Sequence, residues 1–396
     1  MFPMSAGTGS LLLRYSPLID KKQRISGIRL RLGESRCAPK DAARALGDAV
    51  ATWDAHDSPL FVRVPAEAVG ADLTAWKPPQ GTVLEVPPLT EVDVAWAGAW
   101  NGSRPPFCAS VSEGSLPAPG TFPYLSVPVD ALGSAQGEPI KALCRGTKWV
   151  ALEAETPRTY KLAMLRGAES ASGWSFLAPP EGEKKKSLAG AASILSLLEL
   201  VTRDADIGEM EAILKRDVVL AYKLVAIVNS AAMGLTVEIR SFQHAIQILG
   251  MQRLKRWLSM LLATANADSA PALSQISLTR ATFLDLVGTE LGFQDAQDDL
   301  FLTGAFSLLD RILGVSFEEI FAKVAVAPEV AEAVTSRTGP YGGLLKLAES
   351  LEDRAGPSQV AAEVEALALS PSFVNRSLVA ACSAAVRTRF ESGGAA

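Results

Sequence analysis

The stretch that decides the fold of the second half of the chain is DVVLAYKLVAIVNSAAMGL, residues 217–235, followed by IRSFQHAIQILG, residues 239–250. Its first run predicts a helix over residues 217–229, because apolar residues recur there every three or four positions. Gly234 can adopt positive φ in the connection, and Ser241 can cap the helix that follows. The stretch therefore predicts two helices joined at a corner that polar residues cap.

Helical periodicity continues after this corner. Gly250 is predicted to end the second helix. The apolar residues that follow form a packing stripe at helical spacing: Met251, Leu254, Leu258, Leu261 and Ala265. The stripe leaves Arg253 and Arg256 mostly on other faces, beside Trp257. Since strand signals nearly vanish from Leu188 onward, residues 188–396 are predicted to form an all-α domain.

The first half has a different character, with most of the prolines and six of the seven tryptophans. Helix-like stretches alternate with short β-rich runs, and these runs are Leu11–Leu13, Leu60–Val64, Thr82–Val86, Tyr124–Val129 and Trp149–Leu152. This alternation predicts an α/β domain with parallel strands over residues 1–178. No element is assigned between Trp96 and Gly120. Residues 179–187, PPEGEKKKS, are predicted to be a linker, because prolines, a glycine and a charge run suit neither a helix nor a strand.

Charge and cysteine usage exclude several classes of protein. With 38 basic and 43 acidic residues the net charge is −5, so nucleic acid is not an expected partner. The four cysteines contain no C-x-x-C pair, which fits neither a zinc knuckle nor a disulfide framework. The sequence shows no signal peptide and no apolar run of bilayer length. These features predict a cytoplasmic protein with no membrane partner.

The helical corner resembles the HDOD domain, a helical output domain related to HD phosphohydrolases. The resemblance continues through Leu254–Leu262, Phe301–Asp310 and Gly339–Leu345, so it covers about residues 188 to 355. It implies a regulatory role in bacterial signalling, with other signalling proteins as partners.

The first domain resembles the partner that such domains often follow, an EAL domain, the barrel of cyclic di-GMP phosphodiesterases, in a shortened and degenerate form. The segments that carry this resemblance are YSPLID (15–20), GIRLRL (27–32), LFVRVP (60–65), VLEV (83–86), ALEAET (151–156) and GWSFLAP (173–179). The resemblance implies that Arg29 occupies the position of the signature glutamate and Arg63 that of an asparagine ligand. Glu85, Asp130 and Glu155 would be the carboxylates that remain.

Catalysis of the EAL type requires several carboxylates and an amide around two divalent cations. Two of these positions hold arginines, so the sequence predicts no catalytic residue, no metal site and no cofactor. The HD alternative requires several histidines, but the chain has two: His56, which precedes Asp57 in the first domain, and His244, in a helix. No G-x-S-x-G elbow and no glycine-rich phosphate loop is present.

The resulting prediction is a non-catalytic bacterial signal-transduction protein that acts through its HDOD domain, in a cyclic di-GMP network. The candidate interaction or structural-motif residues are Asn229, Ser230, Gly234, Ser241, Gly250, Arg253, Arg256 and Trp257. Asn229 and Ser230 are interpreted as caps at a helix end, with a ligand or partner contact as the alternative. Two other functions stay open: a residual metal-dependent cyclic di-GMP phosphodiesterase, and a receptor that binds this nucleotide without cleaving it. Cyclic di-GMP binding is not expected.

Overall fold

A computed structural model describes residues 11–32, 39–54, 58–64, 76–86, 105–111, 116–133, 137–178, 191–216, 220, 242–263, 271–322, 326–354 and 357–387. Contacts divide the chain into two compact units. The first comprises residues 1–180, 270–275 and 346–396, and the second comprises residues 181–269 and 276–345.

The first unit is built on a closed barrel of eight strands in sequence order. The strands are β1 (Leu13–Ile19), β2 (Ile25–Leu32), β3 (Leu60–Arg63), β4 (Thr82–Val86), β5 (Phe107–Ser110), β6 (Tyr124–Pro128), β7 (Lys148–Leu152) and β8 (Ser170–Ser172). β1 runs antiparallel to both of its neighbours, β2 and β8, and all other pairs are parallel. The carboxyl ends of β2 to β8 therefore meet at one mouth of the barrel, where functional side chains of parallel barrels usually lie.

The first unit also contains helices. They are α1 (Pro39–Val50), α2 (Gly137–Cys144) and α3 (Pro157–Leu165), together with α13 (Pro357–Ala366) and α14 (Pro371–Arg387) near the end of the chain. α3 begins where Thr156 and Thr159 form a reciprocal capping box and Pro157 takes the first turn. α14 packs on α1 and β2. Its buried Asn375 accepts a hydrogen bond from the Leu13 amide at 2.8 Å, so it helps to fix the start of β1.

The side chains inside the barrel form two layers, an apolar layer and a polar layer that lies nearer the carboxyl ends of the strands. Its apolar cluster consists of Leu18, Phe61, Val83, Cys108, Val150 and Leu152, with Tyr124 packed against it. Phe61 and Tyr124 meet edge to face, with ring centroids 5.5 Å apart. Nearer the carboxyl ends, the inward positions of the same strands carry arginine, glutamate and serine. The candidate functional side chains of the barrel lie in this polar layer.

The second unit is helical. Its helices are α4 (Ala192–Thr202), α5 (Ile207–Arg216), α6 (Phe242–Ala263), α8 (Gln297–Phe306), α9 (Leu309–Leu313), α10 (Phe317–Phe321) and α11 (Pro328–Ser336), with most of α7 (Pro271–Glu290) and the first half of α12 (Gly339–Ser350). α7 and α8 approach closely at Gly304, where a Cβ would lie 2.4 Å from the Cα of Ala281. The buried Arg280 donates to Ser307 at 3.1 Å in the same core.

The predicted architecture is confirmed: a closed barrel with parallel strands precedes a helical region. The limits at residues 178 and 188 stay a prediction, and residues 179–187 lie outside the described residues. Contacts nevertheless group residues 346–396 with the barrel rather than with the other helices. In the part of the chain that the structure describes, every helix is too short or too polar to cross a bilayer.

Candidate functional site

The polar layer is assembled from neighbouring strands at the carboxyl mouth of the barrel. Arg31 of β2 is in register with Arg63 of β3, and Arg63 is in register with Glu85 of β4. Residues in register on a pleated sheet point to the same face, so these three side chains enter the layer together. Arg29 lies two positions before Arg31 and therefore points to the same side.

Glu85 is at the centre of the layer, and its side chain is completely buried. Arg29 holds both of its oxygens: Nε lies 2.5 Å from Oε2, and Nη2 lies 2.8 Å from Oε1. The hydroxyls of Ser110 and Ser126 each donate to Oε1 at 3.2 Å. This fork is the strongest arrangement that a guanidinium and a carboxylate can form, and it orients the carboxylate completely.

The pKa of Glu85 follows from these contacts. Burial by itself would raise it, but the charge and hydrogen bonds of Arg29 outweigh burial, and Arg63 and Ser110 add to them. The net effect is a pKa below the usual value for glutamate, so Glu85 is ionised at neutral pH. Burial and the same negative charge raise the pKa of the nearby Cys108 thiol, which is therefore protonated and unreactive.

Arg63 is the second cation beside Glu85. Its Nη1 lies 3.6 Å from Oε1 of Glu85, and one third (34%) of its side chain is exposed. Burial lowers its pKa, with the charge of Glu85 opposing that effect. Because both oxygens of Glu85 already accept from donors, a divalent cation could bind there only by displacing a buried guanidinium. The residues at Glu85 do not fit a divalent cation.

A second ion-pair cluster lies at the same mouth, on β1 and β2. Asp353 accepts from Arg14 at 3.0 Å through Oδ1 and from Arg31 at 2.9 Å through Oδ2. The Tyr15 amide donates to the Leu351 carbonyl at 2.9 Å. Residues 351–354 thus attach to β1 through its backbone and to two inward arginines through one carboxylate. No pattern in the sequence pointed to Asp353, since more than 300 residues separate it from its partners.

The other two carboxylates that the resemblance implied follow β6 and β7. Asp130 lies in a 3₁₀ helix, Val129–Gly133, and is exposed. Glu155 follows β7, is exposed, and accepts from the Trp174 amide at 3.3 Å. Within the described ranges, no three residues of the His, Cys, Asp and Glu types are placed together to hold a metal ion.

Half of the predicted residues of the second unit cannot be placed. Asn229, Ser230, Gly234 and Ser241 lie outside the described residues, as do His56 and Asp57 of the first domain. Gly250 has φ 75° and interrupts α6, and His244 belongs to the same helix. Glycine reaches this left-handed conformation without strain.

The three candidates that follow Gly250 have different environments. Arg253 is exposed, whereas 8% of Trp257 is exposed, so the indole belongs to the core. Arg256 pairs with Asp285 at 2.6 Å, and its guanidinium lies 4.2 Å from the ring centre of Phe301. Arg256 is therefore engaged within its own unit, which leaves Arg253 as the candidate best placed to meet a partner.

Comparison with known proteins gives one family match and several relatives. Residues 191–325 match the HDOD domain. The cyclic di-GMP phosphodiesterase CdgJ of Vibrio cholerae is 31% identical over 208 residues, which cover 52% of this chain and 48% of CdgJ. The uncharacterized protein YuxH of Bacillus subtilis is 29% identical over 214 residues, which cover 53% of this chain and 52% of YuxH. The chain thus matches about half the length of each of these curated relatives.

Solved structures similar to this chain include EAL domains. The EAL domain of Mycobacterium smegmatis DcpA is 14% identical, covering 41% of this chain and 90% of that one, with a TM-score of 0.31. A manganese and cyclic di-GMP complex of Klebsiella pneumoniae BlrP1 is 15% identical, and the match covers 44% of this chain and 57% of BlrP1, with a TM-score of 0.35.

Proposed function

We propose that this chain, which carries an HDOD domain at residues 191–325 after an EAL-like barrel, is a signalling protein that binds other proteins and cleaves no phosphodiester. The observation that carries the proposal is the buried fork between Arg29 and Glu85. The relative CdgJ is named as a cyclic di-GMP phosphodiesterase, so the proposal separates this chain from that activity while keeping it in cyclic di-GMP signalling.

The charge of the layer supports this proposal. Metal-assisted cleavage of a phosphodiester needs an excess of negative ligands, so that two cations can bind and then stabilise charge on the phosphate. Here two cationic side chains, Arg29 and Arg63, both lie within ion-pair distance of Glu85. Like charges repel most strongly in a buried, low-dielectric place, so this group opposes cation binding.

A turnover assay tests the absence of cleavage. Purified protein is incubated with cyclic di-GMP and either Mn²⁺ or Mg²⁺, with CdgJ prepared in the same way as the positive control. We expect turnover by CdgJ and none by this chain. Turnover that disappears in the Glu85→Ala variant would overturn the proposal, because it would make Glu85 part of a working site.

Protein binding is proposed from the HDOD domain and from the exposed position of Arg253. An affinity capture from an extract of the source bacterium compares the wild type with Arg253→Ala. Gln252→Ala is the matched control, since Gln252 is the exposed neighbour of Arg253 on the same helix. We expect a partner that the wild type and the control retain and that Arg253→Ala loses. Identical captures by all three proteins would remove Arg253 from the proposed surface.

A further inference from the structure

We propose that the outer face of α3 is a docking surface for an acidic amphipathic helix of another protein. The residues of this face, called the α3 surface below, are Arg158, Lys161, Leu162, Leu165 and Arg166. The α3 surface lies on the barrel unit. The inference therefore goes beyond the proposed function, which assigns protein binding to the helical unit.

Two leucines of α3 are exposed to solvent. Among the residues that the structure describes, the exposed large hydrophobic side chains are Leu116, Leu162 and Leu165. Two of these lie one turn apart on α3, and 85% of Leu165 is exposed. A surface helix normally turns its large apolar residues toward the core, but α3 buries Ala163 instead. The two leucines thus point away from the core of their own unit.

The five residues of the α3 surface share one side of the helix. Their positions follow the spacing i, i+3, i+4, i+7 and i+8, and all five are exposed. The opposite side is attached to the barrel, since Ala163 is buried and the Tyr160 hydroxyl donates to the Asp20 carbonyl at 2.5 Å. The surface is therefore held in place before a partner arrives, which lowers the entropic cost of binding.

The α3 surface is basic, although the chain as a whole has a net charge of −5. Arg158, Lys161 and Arg166 lie beside the leucines, and α3 with its C-cap contains no acidic residue. In the neighbouring strand β7, Lys148 pairs with Glu169. Within the described ranges, no carboxylate lies at ion-pair distance from the three basic residues of the α3 surface. These cations can therefore pair with carboxylates of a partner.

This combination of charge and apolar area distinguishes among the possible occupants. A second copy bound symmetrically through the same face would set three positive charges against three others. A bilayer would hold α3 by two leucines, which carry fewer carbon atoms than a myristoyl chain, and that chain alone gives only marginal membrane binding. A partner helix with apolar residues flanked by Asp or Glu complements both the leucines and the cations.

A pair of designed peptides tests this chemistry. The first is a helical peptide of about 18 residues, or about five turns, with leucines along one face and glutamates beside them. The second has lysines in place of the glutamates. Fluorescence anisotropy measures the binding of each peptide to the full chain. We expect the acidic peptide to bind roughly tenfold more tightly than the basic one, and its affinity to fall as salt is added.

Substitutions on α3 then identify the surface. Leu162→Gln combined with Leu165→Gln should weaken binding of the acidic peptide by roughly tenfold or more, because two apolar side chains lose their burial. Leu116→Gln is the matched control, since it removes an exposed leucine outside α3, and it should bind like the wild type. Arg158→Gln combined with Lys161→Gln should reduce the salt dependence. Because these side chains are exposed, circular dichroism should show the same fold for every variant.

The inference is overturned if the two peptides bind equally, if neither binds, or if the leucine variants of α3 bind like the wild type. Sedimentation with phosphatidylglycerol vesicles tests the membrane alternative. Vesicle binding that Leu165→Gln abolishes would assign α3 to a lipid surface and would also overturn the inference. These assays involve neither turnover nor Arg253, so their failure is distinguishable from a failure of the proposed function.

Discussion

Replacing Glu85 by glutamine tests whether the barrel depends on the buried ion pair. The substitution keeps the shape of the side chain and removes its charge. Arg29, of whose side chain 6% is exposed, would then be a buried cation without its carboxylate. Removing one partner of a buried ion pair typically costs about 3–5 kcal/mol.

That cost can be measured as a loss of unfolding free energy. Denaturant unfolding followed by tryptophan fluorescence reports on the barrel, because six of the seven tryptophans precede residue 179. In thermal unfolding, the same loss corresponds to a decrease in Tm of roughly 6–20 °C for a unit of this size. Glu169→Gln is the matched control: its pair with Lys148 is exposed, so its loss should stay below about 1 kcal/mol.

A double variant separates the ion pair from the space it fills. Arg29→Met with Glu85→Leu removes both charges, and such replacements are often neutral or stabilising. The double variant should therefore be more stable than Glu85→Gln alone. The reasoning is refuted if Glu85→Gln is as stable as the wild type, since Arg29 would then not require this carboxylate.

Three further predictions concern pH and packing. The folded pKa of Glu85 is lowered, so the stability that its charge provides is complete above the unfolded pKa of about 4.3 and is lost as pH falls through the folded pKa. Circular dichroism between pH 5 and 2 should therefore show a smaller loss of folded protein with falling pH for Glu85→Gln than for the wild type. Equal losses for the two proteins would contradict this prediction. Asn375→Ala leaves the buried Leu13 amide without its acceptor and should cost about 1–3 kcal/mol in urea unfolding, whereas an unchanged midpoint would exclude a role of Asn375 in fixing the start of β1. Gly304→Val forces a side chain against the backbone of Ala281 and should lower the Tm of the helical unit. A Tm equal to that of the wild type would contradict the close packing of α7 on α8.

The strands that the sequence predicted are those with apolar runs on both faces. β3, β4, β6 and β7 coincide with predicted runs, since a strand buried on both faces reads as continuous apolar sequence. The predicted run Leu11–Leu13 meets β1 only at Leu13, and no run was predicted over β2, over β5 or over β8. β5 and β8 are short and rich in small residues, and they become strands because neighbouring strands offer them hydrogen-bond partners. A sequence pattern does not show which strands will be neighbours, so it could not predict these two strands.

The candidate site was also predicted only in part: some of its residues were identified from the sequence, but their contacts were not. The resemblance identified Arg29 and Arg63 as residues at ligand positions and Glu85 as a carboxylate that remains. It did not predict that Arg29 grips both oxygens of Glu85, because this depends on the register and curvature of the closed barrel. Asp353 carried no local signal at all. Only the folding of residues 346–396 against the barrel brings it to Arg14 and Arg31.

The arginines of the mouth and the retained Glu85 are best understood as one electrostatic solution. A carboxylate buried in a barrel without cations would be driven to its neutral form, because desolvation penalises the charge. Arg29 reverses that effect for Glu85 and keeps it ionised. Arg63 and Arg31 then add positive charge beyond what Glu85 balances, and Asp353 supplies part of the missing negative charge. Because guanidinium groups already hold both oxygens of Glu85, this carboxylate is a poor ligand for a divalent cation, and the proposed loss of cleavage depends on that arrangement.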